Sequence, residues 1–267
     1  MRILRTIEEL RAARAGIGTV GLVPTMGAFH AGHVSLFRAA RAENELVVVS
    51  LFINPAQFDA ADDFAAYPRD EALDAAVAED AGADLLFAPP AAELYPEGYA
   101  TWVDVEDLSD RLEGAFRPGH FRGVATVCLK LFNIVRPDRA YFGQKDAQQA
   151  ALVMKLVDDL NVGVDVRVLA TVRDEDGLAL SSRNQRLAGE HRRAAVALPR
   201  ALDAGAAAHA RGEDAAAAAQ RVLDAEPLVV PQYVEVTRFD GRLVLAAAAR
   251  VGGIRLIDNV TLEEEHA

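Results

Sequence analysis

Cysteine occurs once in the 267 residues, as Cys128, so no intramolecular disulfide can form and zinc sites built on cysteine pairs are excluded. Lysine is almost as rare: Lys130, Lys145 and Lys155 are the only three among 28 basic residues. A lysine inside a polar motif therefore weighs more than a solubilising charge would. Positive charge as a whole is in deficit, 28 Lys and Arg against 40 Asp and Glu, for a net charge of -12. That balance excludes nucleic acid as the main partner, because a phosphate backbone is bound by an excess of cations. Long apolar runs are missing too. The longest, 46–53, contains Ser50 and is far shorter than the ~20 residues of a membrane-spanning helix. Arg2, Arg5, Glu8 and Glu9 interrupt the region where an export signal needs an unbroken apolar core. These absences predict a soluble cytoplasmic protein without a membrane partner.

What is present is a chain with 51% apolar residues, enough for a substantial core, whose patterning changes once along its length. Through the first two thirds, strand-length apolar runs (20–24, 45–53, 83–87, 139–142 and 164–172) alternate with helical patterns (34–42, 69–81, 124–135 and 147–160). This alternation predicts an α/β fold, a Rossmann-like parallel sheet with helices on both faces, over residues 1–172. Beyond it come alanine-rich helices at 189–210 and 214–225 and a period-two strand at 233–239. An Asp240-Gly241 hairpin turn then leads into 242–245, and a third strand follows at 254–258. We read 173–267 as a smaller C-terminal α+β domain contributing a lid over the active site, with 263–267 a solvated tail. In parallel sheets ligands collect at the carboxyl ends of the strands. Four polar clusters fall at such places: 25–33, 54–57, 143–149 and 173–183.

The first cluster puts His30 and His33 in the opening turn of a helix, where unpaired backbone N–H groups and the positive end of the dipole attract anions. Gly27 lets a ligand approach the backbone closely. Read alone, the histidines serve equally well as caps or packing residues. Read as phosphate ligands, they stabilise charge growing on a departing pyrophosphate, which is nucleotidyl-transfer chemistry. Gly143-Gln144-Lys145-Asp146 is either a phosphate or ribose clamp or a surface lysine beside an N-cap. Gln149, three residues past Asp146 on one helix face, and Gln57, at the end of a buried strand, are placed to meet a small substrate. Leu180-Ser181-Ser182-Arg183-Asn184 gathers two hydroxyls and a guanidinium in a loop that folds over a triphosphate or caps the next helix. Asp70 and Asp74 offer either two oxygens to hydrated Mg2+ or a solvated helix face. Within the polar stretch 112–123, a candidate lid, His120 reads as a local hydrogen-bonding residue, and Cys128 reads as core.

Several motifs stand in one order over nearly the whole chain: Pro24-Thr25-Met26-Gly27-Ala28-Phe29-His30-Ala31-Gly32-His33, Phe52-Ile53-Asn54-Pro55 with Gln57-Phe58, and Tyr67-Pro68-Arg69. Leu112-Glu113-Gly114 follows with Arg117-Pro118-Gly119-His120-Phe121-Arg122-Gly123-Val124, then Phe142-Gly143-Gln144-Lys145-Asp146 and Leu180-Ser181-Ser182-Arg183-Asn184. Together they resemble the pantothenate synthetase (pantoate–β-alanine ligase) family of the HIGH-motif nucleotidyltransferases. The resemblance implies ATP-dependent condensation of pantoate with β-alanine through a pantoyl adenylate, releasing pyrophosphate and AMP. It implies an ATP site of Met26, Gly27, Ala28, Phe29, His30, Ala31, Gly32, His33, Gly143, Gln144, Lys145, Asp146, Val172, Leu180, Ser181, Ser182 and Arg183. It also implies Gln57 and Gln149 on pantoate and β-alanine, Mg2+ with the ATP phosphates and Asp70 as its candidate protein contact, and a homodimer. His33, His30, Lys145 and Arg183 form the implied catalytic set. We weight them as charge stabilisers, since a carboxylate nucleophile is already ionised at neutral pH.

One departure stands out: many members of the family carry glutamate where Gln144 stands, which bears on ATP affinity. Two readings compete, another small adenylyltransferase that makes a stable nucleotidyl product and a catalytically silent ATP-binding protein. The second is expected to lack a phosphate-contacting position, and none is missing.

Overall fold

The computed structural model describes residues 1–59 and 61–263, so 264–267 of the expected solvated tail lie outside the described residues. The chain divides into two compact units. The first comprises Met1–Gly143 and Gln148–Leu169; the second comprises Gln144–Ala147 and the residues from Ala170 onward.

In the first unit six parallel strands lie in the order β1-β4-β3-β2-β5-β6. They are β1 (Arg2–Leu4), β2 (Val20–Thr25), β3 (Leu46–Leu51), β4 (Leu85–Phe87), β5 (Arg139–Gly143) and β6 (Asp165–Leu169). Alternate residues of β2 and β3 face opposite ways. Leu22 and Val48 join a core with Leu10, Phe132 and Leu152, whereas Val23, Val47 and Val49 pack with Phe37, Ala40 and Ala78. Helices Ile7–Arg14, His120–Val135 and Ala147–Asp159 therefore cover one face, and Ala31–Glu43 and Glu71–Asp80 the other. Burial on both faces explains the unbroken apolar runs, each fully buried Leu or Val contributing about 1.5–3 kcal/mol. From β2 the chain steps out to β3 and β4, then returns across β2 to β5. The carboxyl ends of β2 and β5 thus flank the point where strand order reverses, the crevice in which open α/β sheets bind ligands.

Some boundaries differ from expectation for identifiable reasons. The helix expected from 124 begins at His120, because Gly119 (φ +80) turns the chain and Phe121 enters the core. A short helix, Glu113–Phe116, occupies part of the rest of that polar stretch. β6 ends at Leu169, so Val172 lies past the strand. Strand β1 and helix Ile7–Arg14 escape a reading of the pattern: three residues show no period, although Thr6 and Glu9 form a complete capping box.

The second unit packs helices Gly189–Ala194, Ala197–His209 and Ala215–Asp224 with an antiparallel sheet of β7 (Val229–Phe239), β8 (Arg242–Val251) and β9 (Ile254–Thr261). The expected helix 189–210 is broken at Ala195-Val196, which sets Pro199 in the first turn of Ala197–His209, where its missing N–H has no intrahelical partner to lose. Glycine allows close approach here: a Cβ on Gly205 would lie 2.3 Å from Leu245 Cδ2 on β8 and 2.8 Å from the Ala215 carbonyl of the next helix. Asp240 (φ +49) and Gly241 (φ +74) are both left-handed, giving the expected two-residue hairpin.

Candidate active site

At the end of β2, Thr25 Oγ1 donates to the Ser50 carbonyl at 2.5 Å, tying β2 to β3 before the chain turns. The turn uses left-handed backbone at Gly27 (φ +92) and Ala28 (φ +54). For alanine this conformation costs about 1–2 kcal/mol. Asp74, on helix Glu71–Asp80 and only 3% exposed, offsets the cost by accepting the Ala28 N–H at 2.9 Å and the Phe29 N–H at 2.7 Å. Burial raises the Asp74 carboxyl above its ordinary pKa; the hydrogen bonds from Phe29 and Ala28 oppose that, and the Asp70 charge adds to it. The solvated helix face expected for this acid pair is thus corrected for Asp74, which is buried; Asp70 is exposed and caps the helix by accepting the Leu73 N–H at 3.0 Å. Among the described residues no group of three or more His, Cys, Asp or Glu side chains is arranged to hold a metal ion.

The turn delivers His30 as the N-cap of helix Ala31–Glu43. Its Nδ1 accepts the Gly32 N–H at 3.1 Å, and the His33 Nδ1 accepts the His30 N–H at 3.3 Å, a capping box made of two imidazoles. The rings stand 4.2 Å apart, and Phe29 packs against His33 at 5.3 Å and Phe37 at 5.0 Å. Because each Nδ1 accepts from backbone, the ring proton belongs on Nε2, which makes each Nε2 a donor. Capping therefore uses the Nδ1 atoms, and the donor capacity of both rings lies on Nε2. Gly32 is required here, since a Cβ would sit 2.9 Å from His30 Cε1.

Gln57 closes the 3-10 turn Pro55–Gln57 beyond β3 and is 7% exposed. Its Nε2 donates to Met26 Sδ at 2.9 Å, and its Oε1 accepts from Asn54 Nδ2 at 3.1 Å. The Gln57 carbonyl accepts from His120 Nδ1 at 2.7 Å and Arg117 Nη2 at 3.4 Å. Arg117 Nη1 also lies 3.0 Å from His120 Nε2. A carbonyl only accepts and a guanidinium only donates, so His120 carries its proton on Nδ1. The expected role of His120 as a local hydrogen-bonding residue thus has a partner, the backbone of Gln57. Gln149, half-buried on helix Ala147–Asp159, has a side-chain amide without a hydrogen bond among the described residues. Its neighbour Gln148 is the one spent on structure, accepting from Glu113 N–H and donating to the Leu108 and Arg111 carbonyls.

A cavity of about 490 Å³ opens at the carboxyl ends of these strands, walled by Met26, Leu51, Phe52, Ile53 and Pro89, with Asp70, Asp74 and Arg69 among its polar lining. Its size is that of a small-molecule site. Cys128 takes no part: it is buried in the core, and burial pushes its thiol up to about 12.

In the second unit, Gln144–Asp146 form a 3-10 turn, so Asp146 precedes the helix instead of sharing a face with Gln149. Lys145 Nζ lies 3.7 Å from Asp146 Oδ1. Asn259 Nδ2 donates to the carbonyls of both Gln144 and Lys145 at 2.9 Å, a contact that sequence reading missed. Residues 172–183 fold back on themselves: Leu180 N–H donates to the Val172 carbonyl at 3.0 Å, and Gly177 (φ +88) lies within the reversal. Arg173 anchors the fold-back in a two-pronged pair with the buried Asp258, at 2.6 and 3.0 Å. Ser181 then caps the 3-10 turn Ser182–Arg186 by accepting the Arg183 N–H at 3.3 Å.

A parallel sheet that sends a two-histidine helix start out of its switch-point strand, beside a cavity of small-molecule size, defines a Rossmann-like α/β protein. The pantoate-beta-alanine ligase family model matches residues 2–261. The chain is 50% identical to the pantothenate synthetase of Moorella thermoacetica, over 98% of this chain and 99% of that one. It is 52% identical to that of Roseiflexus castenholzii, over 98% and 100%. The crystal structure of pantothenate synthetase from Thermus thermophilus superposes with a TM-score of 0.94 at 46% identity, covering 97% of this chain and 99% of that one. A crystal structure of pantoate-beta-alanine ligase from Francisella tularensis, complexed with beta-gamma ATP and β-alanine, superposes at 0.87 with 32% identity, covering 98% and 97%. The chain belongs to the pantoate–β-alanine ligase family, and it is a ligase.

Proposed function

We propose that this enzyme joins pantoate to β-alanine at the expense of ATP in two steps. In the first, a pantoate carboxylate oxygen attacks the α-phosphorus, the bond to the bridging oxygen of the β-phosphate breaks, and pyrophosphate leaves. In the second, the β-alanine amine attacks the acyl carbon, the bond from that carbon to the phosphate oxygen breaks, and AMP leaves as the new amide nitrogen loses its proton. The Francisella relative, with ATP and β-alanine ligands, supports both substrates.

The observation that carries the reading is the imidazole capping box, which holds two rings 4.2 Å apart at a helix N-terminus with their donor protons on Nε2. Charge grows on the non-bridging oxygens and the departing pyrophosphate, and preplaced donors stabilise it without reorganising. Lys145 and Arg183 supply the cations that the net charge of -12 otherwise withholds. Met26–His33, Gly143–Asp146, Val172 and Leu180–Arg183 bind ATP in this reading, while Gln57 and Gln149 bind pantoate. Mg2+ enters as the counter-ion of the phosphates. Asp70, whose cap on the Leu73 N–H uses Oδ1 alone, would be the protein contact of the hydrated ion, whereas both Asp74 oxygens hold backbone N–H groups; the ion would offset phosphate charge. We assign the enzyme to the cytoplasm as a homodimer, which sedimentation at micromolar concentration checks.

The test is pantoate-dependent exchange of labelled pyrophosphate into ATP without β-alanine, followed by AMP release when β-alanine is added. Absence of exchange by folded protein overturns the adenylate route. Exchange with phosphopantetheine or a nicotinate nucleotide instead selects an adenylyltransferase.

A further inference from the structure

Asparagine is a poor strand former, yet Asn259 sits inside β9, paired with Ala246 of β8, and is 5% exposed. Its side-chain amide has two N–H donors and one acceptor oxygen, and all are used on one segment. Nδ2 donates to the carbonyls of Gln144 and Lys145, each at 2.9 Å, and Oδ1 accepts from Gln144 Nε2 at 3.1 Å. Its backbone N–H is held in turn by Asp258 Oδ1 at 2.8 Å, and Asp258 is clamped by Arg173. The result is a rigid post on a sheet strand that fixes two successive carbonyls of a three-residue turn. A 3-10 turn of this length has few hydrogen bonds of its own to hold its geometry.

We infer that Asn259 is a positioning residue for Lys145. It holds the Gln144-Lys145 backbone so that the ammonium departs from a fixed Cα, and the long lysine stem, only 17% exposed, has fewer places to go. Preorganisation of this kind is what makes a cation useful to a transition state instead of merely near it. Gln144 belongs to the same device. Its side chain satisfies the Asn259 oxygen and thereby commits Nδ2 to the two carbonyls. The role concerns the placement of Lys145; its consequence for catalysis rests on the proposed phosphate-stabilising function of that lysine.

The scarcity of lysine gives a direct test. Reductive methylation with 13C-formaldehyde labels Lys130, Lys145, Lys155 and the N-terminus, and a Lys145→Arg variant identifies the Lys145 signal. Asn259→Ala is expected to move the Lys145 resonance towards that of a free lysine and leave those of Lys130 and Lys155 in place. Asn259→Ser, which keeps one donor, gives an intermediate shift and serves if the alanine variant unfolds. In pyrophosphate exchange, Asn259→Ala is expected to lower kcat on the order of tenfold, with the KM for pantoate unchanged. The same change made in Lys145→Ala should add less than about twofold. An unmoved Lys145 resonance in folded Asn259→Ala overturns the inference whatever happens to activity, and so does a full second loss in the Lys145→Ala background. If the resonance moves but Lys145→Ala exchanges normally, the phosphate role of Lys145 fails while the positioning stands.

Discussion

The carboxylate of Asp74 accepts the backbone N–H groups of both Ala28 and Phe29, at 2.9 and 2.7 Å, and so holds the left-handed turn that launches the two-histidine helix. A charged acceptor is worth about 1.5–3 kcal/mol per hydrogen bond, and its removal leaves two donors without partners. Asp74→Ala is expected to destabilise the protein by about 3 kcal/mol, read by urea unfolding. Exchange should fall by on the order of 10², because His30 and His33 lose their footing. Unchanged stability and exchange would mean that the turn supports itself.

Gly32→Ala separates catalysis from stability. An alanine Cβ would lie 2.9 Å from His30 Cε1 and 3.0 Å from Nδ1, so the ring must swing away and release its cap on the Gly32 N–H. The cap is worth about 1 kcal/mol, and alanine regains about as much over glycine inside a helix. The expected outcome is a melting temperature close to the parent's with pyrophosphate exchange down roughly 10²-fold. A large loss of stability would show that Gly32 is needed for folding before chemistry.

The contrast between Gly32 and Asp74 shows how far the sequence carries. Strands β2 and β3 were legible because burial on both faces leaves a continuous apolar run, and the histidines because their spacing fits a helix start. Asp74 was not, since an acid four residues from another looks like a wet helix face and its true partners are backbone N–H groups, which leave no mark in a sequence. Asn259 was missed for the same reason. At 119–123 the glycines suggested an open loop, yet Gly123 is there because a Cβ would meet the Ala56 carbonyl at 2.3 Å, a constraint set by a segment almost seventy residues away. Local patterning reveals which residues are buried or helical. Contacts with distant backbone stay hidden until the chain folds.

Asp74 also predicts a pH dependence. Burial raises its folded pKa above the unfolded value, and the hydrogen bonds from Phe29 and Ala28 do not fully reverse this. The sign follows from linkage: the contribution of a raised carboxyl is fully present below the unfolded pKa of about 4 and is lost as pH rises through the folded value. The stability advantage of the parent over Asp74→Asn is therefore expected to be greatest near pH 4 and to shrink towards neutrality, in urea unfolding at several pH values. An advantage that grows with pH would show that the two N–H donors outweigh burial.

His120 tests whether pantoate binding depends on how Gln57 is held. Its Nδ1 donates to the Gln57 carbonyl at 2.7 Å while Arg117 packs against the other ring nitrogen at 3.0 Å, so His120→Ala leaves a buried carbonyl without its nearest donor. Gln57 would then be free to shift, and its amide, now shared between Asn54 and Met26, would meet substrate less reliably. One such hydrogen bond is worth about 1.4 kcal/mol, a factor of ten in an equilibrium. The expected result is a KM for pantoate raised on the order of tenfold, with the KM for ATP unchanged, and partial recovery in His120→Asn, which keeps one donor and one acceptor. If the ATP dependence moves together with that of pantoate, His120 supports the turn at Met26 as well as Gln57, and the division of labour between the two substrates breaks down at this residue.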